Sequence, residues 1–485
     1  MAPLKAGRVD IPMRDSLRLQ APPANPQTLE LPVGHRRRLD CRALPSPIVL
    51  DQDQILTLRD GTKIRADIYR PRTDKQVPAI IMWGPYGKSG SGPLNINSMP
   101  LRAGIPAERL SGYENFEGTL DPAEWVPRGY AIINVDPRGV VIAPLEGLSD
   151  VFKEQAYRGG IPYSIFPEMI SQTILGRQQQ EDIVSYIKST TASTDYIEDK
   201  RVDFSKVQVP AYIGASYSNE IHVVGSFRAF EDIPHGNKWI VIHVTQEWFD
   251  LYTDERTADL GKLFDYYLKG VKNDWPQTPP ARLAILSCTK PAILNTPFND
   301  LPWHTKSAAM NHLYLTPDLK LTLSIDISAP DHDDLDVYTH LHKADKNGNI
   351  LTHVNIPPLV EKLSPEQNAQ FTTNSFIRYW GPNGQLRASQ RHVSKEKSGK
   401  TWATLSYEKV QPVKPGEVVR LEIQLWPTGL QFEVGEQLIL KISGERIALP
   451  SLPNLVKGPN PNKGKHVLHL GGEFEARLDF FTIEV

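Results

Sequence analysis

Along "QILTLRDGTKIRADIYRP" (residues 54–71) apolar and polar positions alternate on both sides of Asp60-Gly61. Alternation means one buried face, and Asp-Gly between two such runs predicts a hairpin. A different pattern follows. "VPAIIMWG", "GYAIINVD", "VVIAPLEG", "VQVPAYIGAS" and "KWIVIHVT" are nearly continuous apolar blocks bounded by turn residues. Strands covered on both faces of a parallel sheet read this way. Between Ser149 and Val207 the chain is helical in character, with "RQQQEDIVSYIKS" its clearest segment and no good strand. "DERTADLGKLFDYYLKGVKNDW" is an amphipathic helix ending at Gly270.

The periodicity changes near Pro276. "HLYLTPDLKLTLS", "DLDVYTHLHKADKNGNILTHV", "EVVRLEIQLWPTGLQFEVGEQLILKISG" and "ARLDFFTIEV" alternate strands with turns, and helical spacing nearly disappears. The expected architecture is an α/β core with a helical cap insertion, followed by an all-β jelly-roll domain. The expected bounds are an N-terminal arm over 1–48, core over 49–148, cap over 149–206, core again over 207–275, and the β domain over 276–485. The arm, with its prolines and its basic run His35-Arg36-Arg37-Arg38, is expected to hug the surface.

Composition narrows the function classes. Lys+Arg 54 against Asp+Glu 56 leaves a net charge of -2, with no basic footprint for nucleic acid. The two cysteines, Cys41 and Cys288, make neither a disulfide framework nor a metal-ligand spacing. No apolar run reaches the roughly 18 residues of a membrane span, and "MAPLKAGRVDIPMRD" lacks the apolar centre of a signal peptide. A cytosolic protein is expected, with no membrane partner and no metal or organic cofactor.

Several of these segments resemble one family. "LRDGTKIRADIYRP", "VPAIIMWGPYGKSG", "GYAIINVDPRG", "APLEGLSDVFKEQAYRGGIP", "LFDYYLKGVKNDW" and "WPTGLQFEVGEQLILKISG" occur in the order found in CocE/NonD proteins, the cocaine-esterase-like and X-Pro dipeptidyl-peptidase-like serine hydrolases. "SGYE", "DPAEW" and "TQEW" resemble its fungal branch. The resemblance implies an α/β-hydrolase core, a helical cap and a C-terminal jelly roll. It also implies hydrolysis or transfer of an acyl ester or amide of a small molecule or peptide, with a place in secondary metabolism. The implied partner is a small-molecule acyl substrate, with a homo-oligomer open.

One piece of that pattern is missing. In such proteins the Asp-x-Arg-Gly turn leads into the nucleophile strand, the elbow serine and a helix before the "APLEG"-like strand. Here Gly139 runs directly into Val140. A strand–elbow–helix unit, on the order of 30 residues or more, is absent, and the serine presented on that strained turn goes with it. Two parallel strands cannot be joined by a four-residue turn, so a distorted sheet is expected near residues 131–146. The chain is then either the product of a mis-assembled or alternatively spliced message or a hydrolase-like binding protein without catalysis.

Substitutes for the triad are few. Gly214-Ala215-Ser216-Tyr217-Ser218 approaches G-x-S-x-G, with Ser218 in place of the last glycine. Ser216 is therefore a candidate nucleophile, or a structural turn residue. The resemblance puts the triad acid near Ser218 or Asn219, with Glu220 the nearest carboxylate. His243, at the end of "KWIVIH", is the candidate base, because sites gather at strand C-termini in open parallel sheets. The family position could also fall at Gln246; His222 is a second candidate, and Glu247 or Asp250 could orient a base. Gly87-Lys88-Ser89 superficially suggests a phosphate loop, but Met82 stands where that loop needs glycine. The resemblance instead implies that Tyr86 of "PYGK" donates its hydroxyl to an oxyanion. Arg138 is expected to brace loops.

Overall fold

The computed structural model describes residues 5–6, 9–15, 25–58, 61, 63–84, 86–89, 95–116, 120–136, 145–173, 179–189, 195–218, 221–298, 314–315, 321–356, 363–370, 376–395, 398, 403–447 and 462–480. The Gly139–Val140 junction, Arg138, Asn219 and Glu220 lie outside them.

The α/β core holds two sheets. The first comprises β1 (Gln27–Leu31), β2 (Ile48–Thr57), β3 (Lys63–Pro71), β4 (Ala79–Met82) and β5 (Ala131–Val135), in the order β1-β2-β3-β5-β4. β4 and β5 are parallel and the other pairs antiparallel. The second comprises β6 (Ala211–Ser216), β7 (Lys238–His243), β8 (Ala281–Ile285) and β9 (Ile293–Phe298) in sequential order. β6, β7 and β8 run parallel. All six residues of β6 are buried, which is why that strand reads as an unbroken apolar run.

Among the described residues no backbone pairing joins the two sheets. Among the described residues β4 is paired on one side only, and Ile81 on it is 43% exposed. On the far side, Leu145 bridges Gly214 in parallel and the Glu146 N–H donates to the Gly214 carbonyl at 2.8 Å. The segment at 145–146 thus flanks β6, and β4 ends the other sheet.

Apolar residues cover both faces of β6 and β7. Tyr212, Trp239 and Val241 pack with Leu260, Leu263 and Trp275. Ile213, Ile240 and Ile242 pack with Val223, Phe227 and Phe230 of the helix Val223–Asp232, and with Trp426 and Leu430. Helices are α1 (Ile165–Thr173), α2 (Ile183–Ser189) and α3 (Asp195–Asp199) in the cap region, then α4 (Val223–Asp232), α5 (Glu247–Leu251) and α6 (Asp254–Lys269). The ends of α6 follow from local chemistry. The Thr253 hydroxyl accepts from the Arg256 N–H, Asp254 and Glu255 occupy the first turn, Lys269 the last, and Gly270 at φ 68 closes it in the left-handed region.

Three readings of the sequence need correction. The core sheet does not stop at residue 275, because β8 pairs in parallel with β7 and β9 pairs with β8. Residues 27–31, expected within the surface-hugging arm, form an edge strand of the core sheet, paired to β2. The cap region also contains a short strand, Gln179–Glu181, which pairs with Met13–Asp15 of the N-terminal segment, while Arg14 bonds Glu168 at 3.2 Å. Such short pairings carry no periodicity to read.

The C-terminal region is antiparallel. β10 (Thr322–Ser328) pairs with β13 (Val419–Gln424), β15 (Val467–His469) and β16 (Arg477–Asp479). β11 (Asp336–Ala344) lies between β12 (Asn383–Arg387) and β14 (Gln437–Ser443). Leu323, Ile325, Val337, Leu341, Leu421 and Ile423 form their common core. The cap docks against it at Gly159, where a Cβ would fall 1.9 Å from the Gln385 carbonyl oxygen. Arg158, beside it, donates to Asn383 and stacks 4.2 Å from the Trp426 ring.

Candidate active site

The C-terminal ends of β6 and β7 and the turn at Glu146 bring a polar cluster together. Ser216 and His243 are paired residues on neighbouring strands. Glu146 takes φ 61, a left-handed conformation that a non-glycine residue adopts at a cost. The α5 segment caps the cluster: Gln246 is its N-cap, with its side-chain oxygen accepting from Trp248 N–H at 2.9 Å. Glu247 and Asp250 then follow in the first turn.

His243 is 6% exposed and sits between carboxylates. Its Nε2 is 3.0 Å from Glu146 Oε1. Its Nδ1 is 3.3 Å from Thr245 Oγ1 and 3.8 Å from Asp250 Oδ1. Burial works against the imidazolium, but Asp250 and Glu146 outweigh it and raise the pKa. His222, just before α4, lies with Nδ1 3.4 Å from Glu146 Oε2 and 3.7 Å from Glu247 Oε2. Burial again disfavours its charge, yet the two carboxylates push its pKa up to about 10. Burial raises Glu247, reinforced by Glu146, whereas both histidines hold Glu146 low in spite of its own burial. Asp250 is claimed by Arg256, whose Nε donates at 2.7 Å and Nη2 at 3.3 Å. Arg256 Nη1 also donates to the Tyr212 hydroxyl at 2.5 Å.

Ser216 is fully buried. Its hydroxyl donates to the Thr245 carbonyl at 2.6 Å, accepts the Ser218 N–H at 3.1 Å and lies 2.7 Å from Ser218 Oγ. These bonds close the turn after β6, and none reaches His243. Tyr86 meets Phe116 edge-on at 4.8 Å, and Phe116 meets Trp248 at 5.0 Å. An aromatic wall therefore runs from Tyr86 to the residue after Glu247. Lys88 is not free to hold a phosphate: its Nζ binds Asp67 at 2.8 Å and Asp53 at 3.0 Å. Gln246, the other placement of the base, has the capping role described above.

Glu146 is the residue that sequence reasoning missed. The signal was present in the sequence, since it follows an apolar run and precedes glycine, where strand-end sites fall. A cavity of about 850 Å³ opens elsewhere, between the cap and the β domain, lined by Glu154, Arg158, Arg228, Tyr407 and Trp426 among others and by neither His243 nor Tyr86. No helix among the described residues is long and apolar enough to cross a membrane.

Fold and strand-end cluster together define the class, an α/β-hydrolase-type core joined to a C-terminal all-β domain. Residues 60–159 match the X-Pro dipeptidyl-peptidase (S15 family) model. Residues 273–479 match the X-Pro dipeptidyl-peptidase C-terminal non-catalytic domain. No curated protein matches the chain. Among solved structures, a CocE/NonD family hydrolase from Staphylococcus aureus is 20% identical with a TM-score of 0.73, covering 98% of this chain and 97% of its own. An aminopeptidase from a marine sediment Thaumarchaeota archaeon is 11% identical, with a TM-score of 0.53, over 85% of this chain and 91% of its own. An alpha-amino acid ester hydrolase is 10% identical, with a TM-score of 0.52, over 85% and 92%. At these identities the structures show a shared fold, and the two sequence matches show similarity to the X-Pro dipeptidyl-peptidase models over those stretches.

Proposed function

We propose that this chain is a scaffold of the CocE/X-Pro dipeptidyl-peptidase type, of the fungal branch and cytosolic. It is built to receive an acyl ester or amide of a small molecule or peptide, and its elbow serine has been lost with the strand–elbow–helix unit. In this reading the C-terminal domain is the family's jelly roll, His243 is the inherited base, Asp250 its orienting acid, and Tyr86 the inherited oxyanion donor. The aromatic wall through Phe116 and Trp248 would take the apolar part of the substrate.

The observation that carries this reading is the environment of His243. In a Ser-His-Asp triad one ring nitrogen faces the nucleophile and the other the acid. Here Nε2 is occupied by Glu146, and the one hydroxyl bonded to the ring among the described residues is that of Thr245. Ser216, the nearest match to an elbow, spends its proton on the Thr245 carbonyl. A serine in that bond has no base to deprotonate it, so no acyl-enzyme can form through it. The chain then binds acyl compounds without turning them over.

Labelling with a fluorophosphonate probe, read by intact mass, tests this. The expected result is no adduct in the native chain. An adduct that maps to Ser216 and vanishes in Ser216→Ala would make the chain an active serine hydrolase and refute the proposal.

A further inference from the structure

Glu146 Oε2 and His222 Nδ1 are buried, face one another at 3.4 Å and hold no hydrogen bond. The Glu146 side chain is only 6% exposed. A buried polar atom left in this way is costly. Its sister oxygen, Oε1, is fixed by His243, which aims Oε2 at His222. Glu247 Oε2 completes a triangle, and one ligand atom from each of the three residues lies within 4.8 Å of the others.

We propose that Glu146, His222 and Glu247 bind a divalent transition metal of the Zn²⁺ class. Bonds of about 2.0–2.2 Å at tetrahedral angles put ligand atoms roughly 3.4 Å apart. The His222–Glu146 pair has that separation at 3.4 Å, and His222–Glu247 is close to it at 3.7 Å. Charge also balances. A dication bound here would take the place of the proton that the two glutamates draw onto His222, and would offset both carboxylates in a desolvated site. Asp250 contributes none of this, because Arg256 already pairs with it. An imidazole in the ligand set favours Zn²⁺ over Mg²⁺ or Ca²⁺, which prefer oxygen alone. Three protein ligands leave a fourth position open, the arrangement of reactive rather than closed zinc sites. His243 positions the Glu146 carboxylate and is not itself a ligand. This inference is independent of whether the chain hydrolyses anything.

The test is calorimetric titration of the metal-stripped full chain with ZnCl₂, with metal content read after gel filtration. One Zn²⁺ per chain is expected, with a Kd on the order of micromolar or tighter, a rise in Tm with added zinc, and no response to Mg²⁺. Glu247→Gln, nearly isosteric, and His222→Gln should each abolish it. His243→Gln should weaken binding about 10-fold. The His332–His466 pair on the β domain, with nitrogens 3.3 Å apart, is the competing site. His466→Gln should leave the stoichiometry at one. Absence of binding to the native chain, retention of the zinc in both Glu247→Gln and His222→Gln, or its loss in His466→Gln would each overturn the proposal.

Discussion

Arg256 ties the base of the cluster to the sheet, and replacing it should be among the most destabilising single changes in the core. The residue is 5% exposed, with Asp250 at 9%. Its guanidinium makes two bonds to Asp250 and one to the Tyr212 hydroxyl, and Asp259 Oδ2 lies 3.4 Å from Nη1. Arg256→Met keeps the bulk and removes the charge. Asp250 would then be a buried carboxylate with only His243, at 3.8 Å, to offset it. Breaking such a pair from one side costs about 3–5 kcal/mol, whereas replacing both partners by apolar groups is often close to neutral. Asp259 does not add to the cost, because Arg282 holds it at 2.9 and 2.8 Å. With about 2.1 cal/mol/K of unfolding entropy per residue over 485 residues, 1 kcal/mol moves Tm by about 1 °C, so Arg256→Met should lower Tm by roughly 3–5 °C. Arg256→Met/Asp250→Leu should recover at least about 2 kcal/mol of the summed single losses. Urea melts followed by circular dichroism on the four proteins of the cycle supply the numbers. A single-mutant cost below about 1 kcal/mol, or strict additivity in the double mutant, would refute the reasoning.

Two further outcomes follow from burial and from the split sheet. His353 donates to the Val244 carbonyl at 2.8 Å, and burial drives its pKa down to about 4. An unfolded histidine titrates near 6.5, so the stability this neutral ring contributes is complete above that pH and is lost as pH falls toward 4, about 3 kcal/mol in all. Thermal melts from pH 7.5 to 4.5 should show this slope, and His353→Gln should flatten it; an unchanged slope would assign acid sensitivity elsewhere. Ile81 stands 43% exposed on the one-sided strand β4, so Ile81→Lys should shift stability by no more than about 0.5 kcal/mol while reducing light scattering on heating. A loss of more than about 1 kcal/mol would mean that the edge is covered.

Much of the fold is legible in patterning because burial on both faces leaves little choice of residue. "AYIGAS" and "KWIVIH" could hardly be anything but inner strands, and they are. Thr253, Asp254 and Gly270 bound α6 by local bonds that the sequence displays directly. The edge strand at 27–31 and the pairing of 13–15 with 179–181 were not legible, because two- to five-residue pairings depend on a partner distant in sequence. The site divides along the same line. The rule that strand ends collect chemistry points to His243, whereas only the structure shows the Ser216 hydroxyl bonded to the Thr245 carbonyl.

By itself the sequence determined the inner strands at 131–135, 211–216 and 238–243, the ends of α6, and the change of pattern near Pro276, though not that the next two strands still belong to the core sheet. These are local properties, written in periodicity, turn residues and motif order. Only the tertiary structure decided which side chains share space. Glu146, His222, His243 and Glu247 span about a hundred positions, yet they meet because parallel strands bring distant C-termini to one edge. Their mutual charges in a desolvated place, rather than their identities along the chain, set what they can bind.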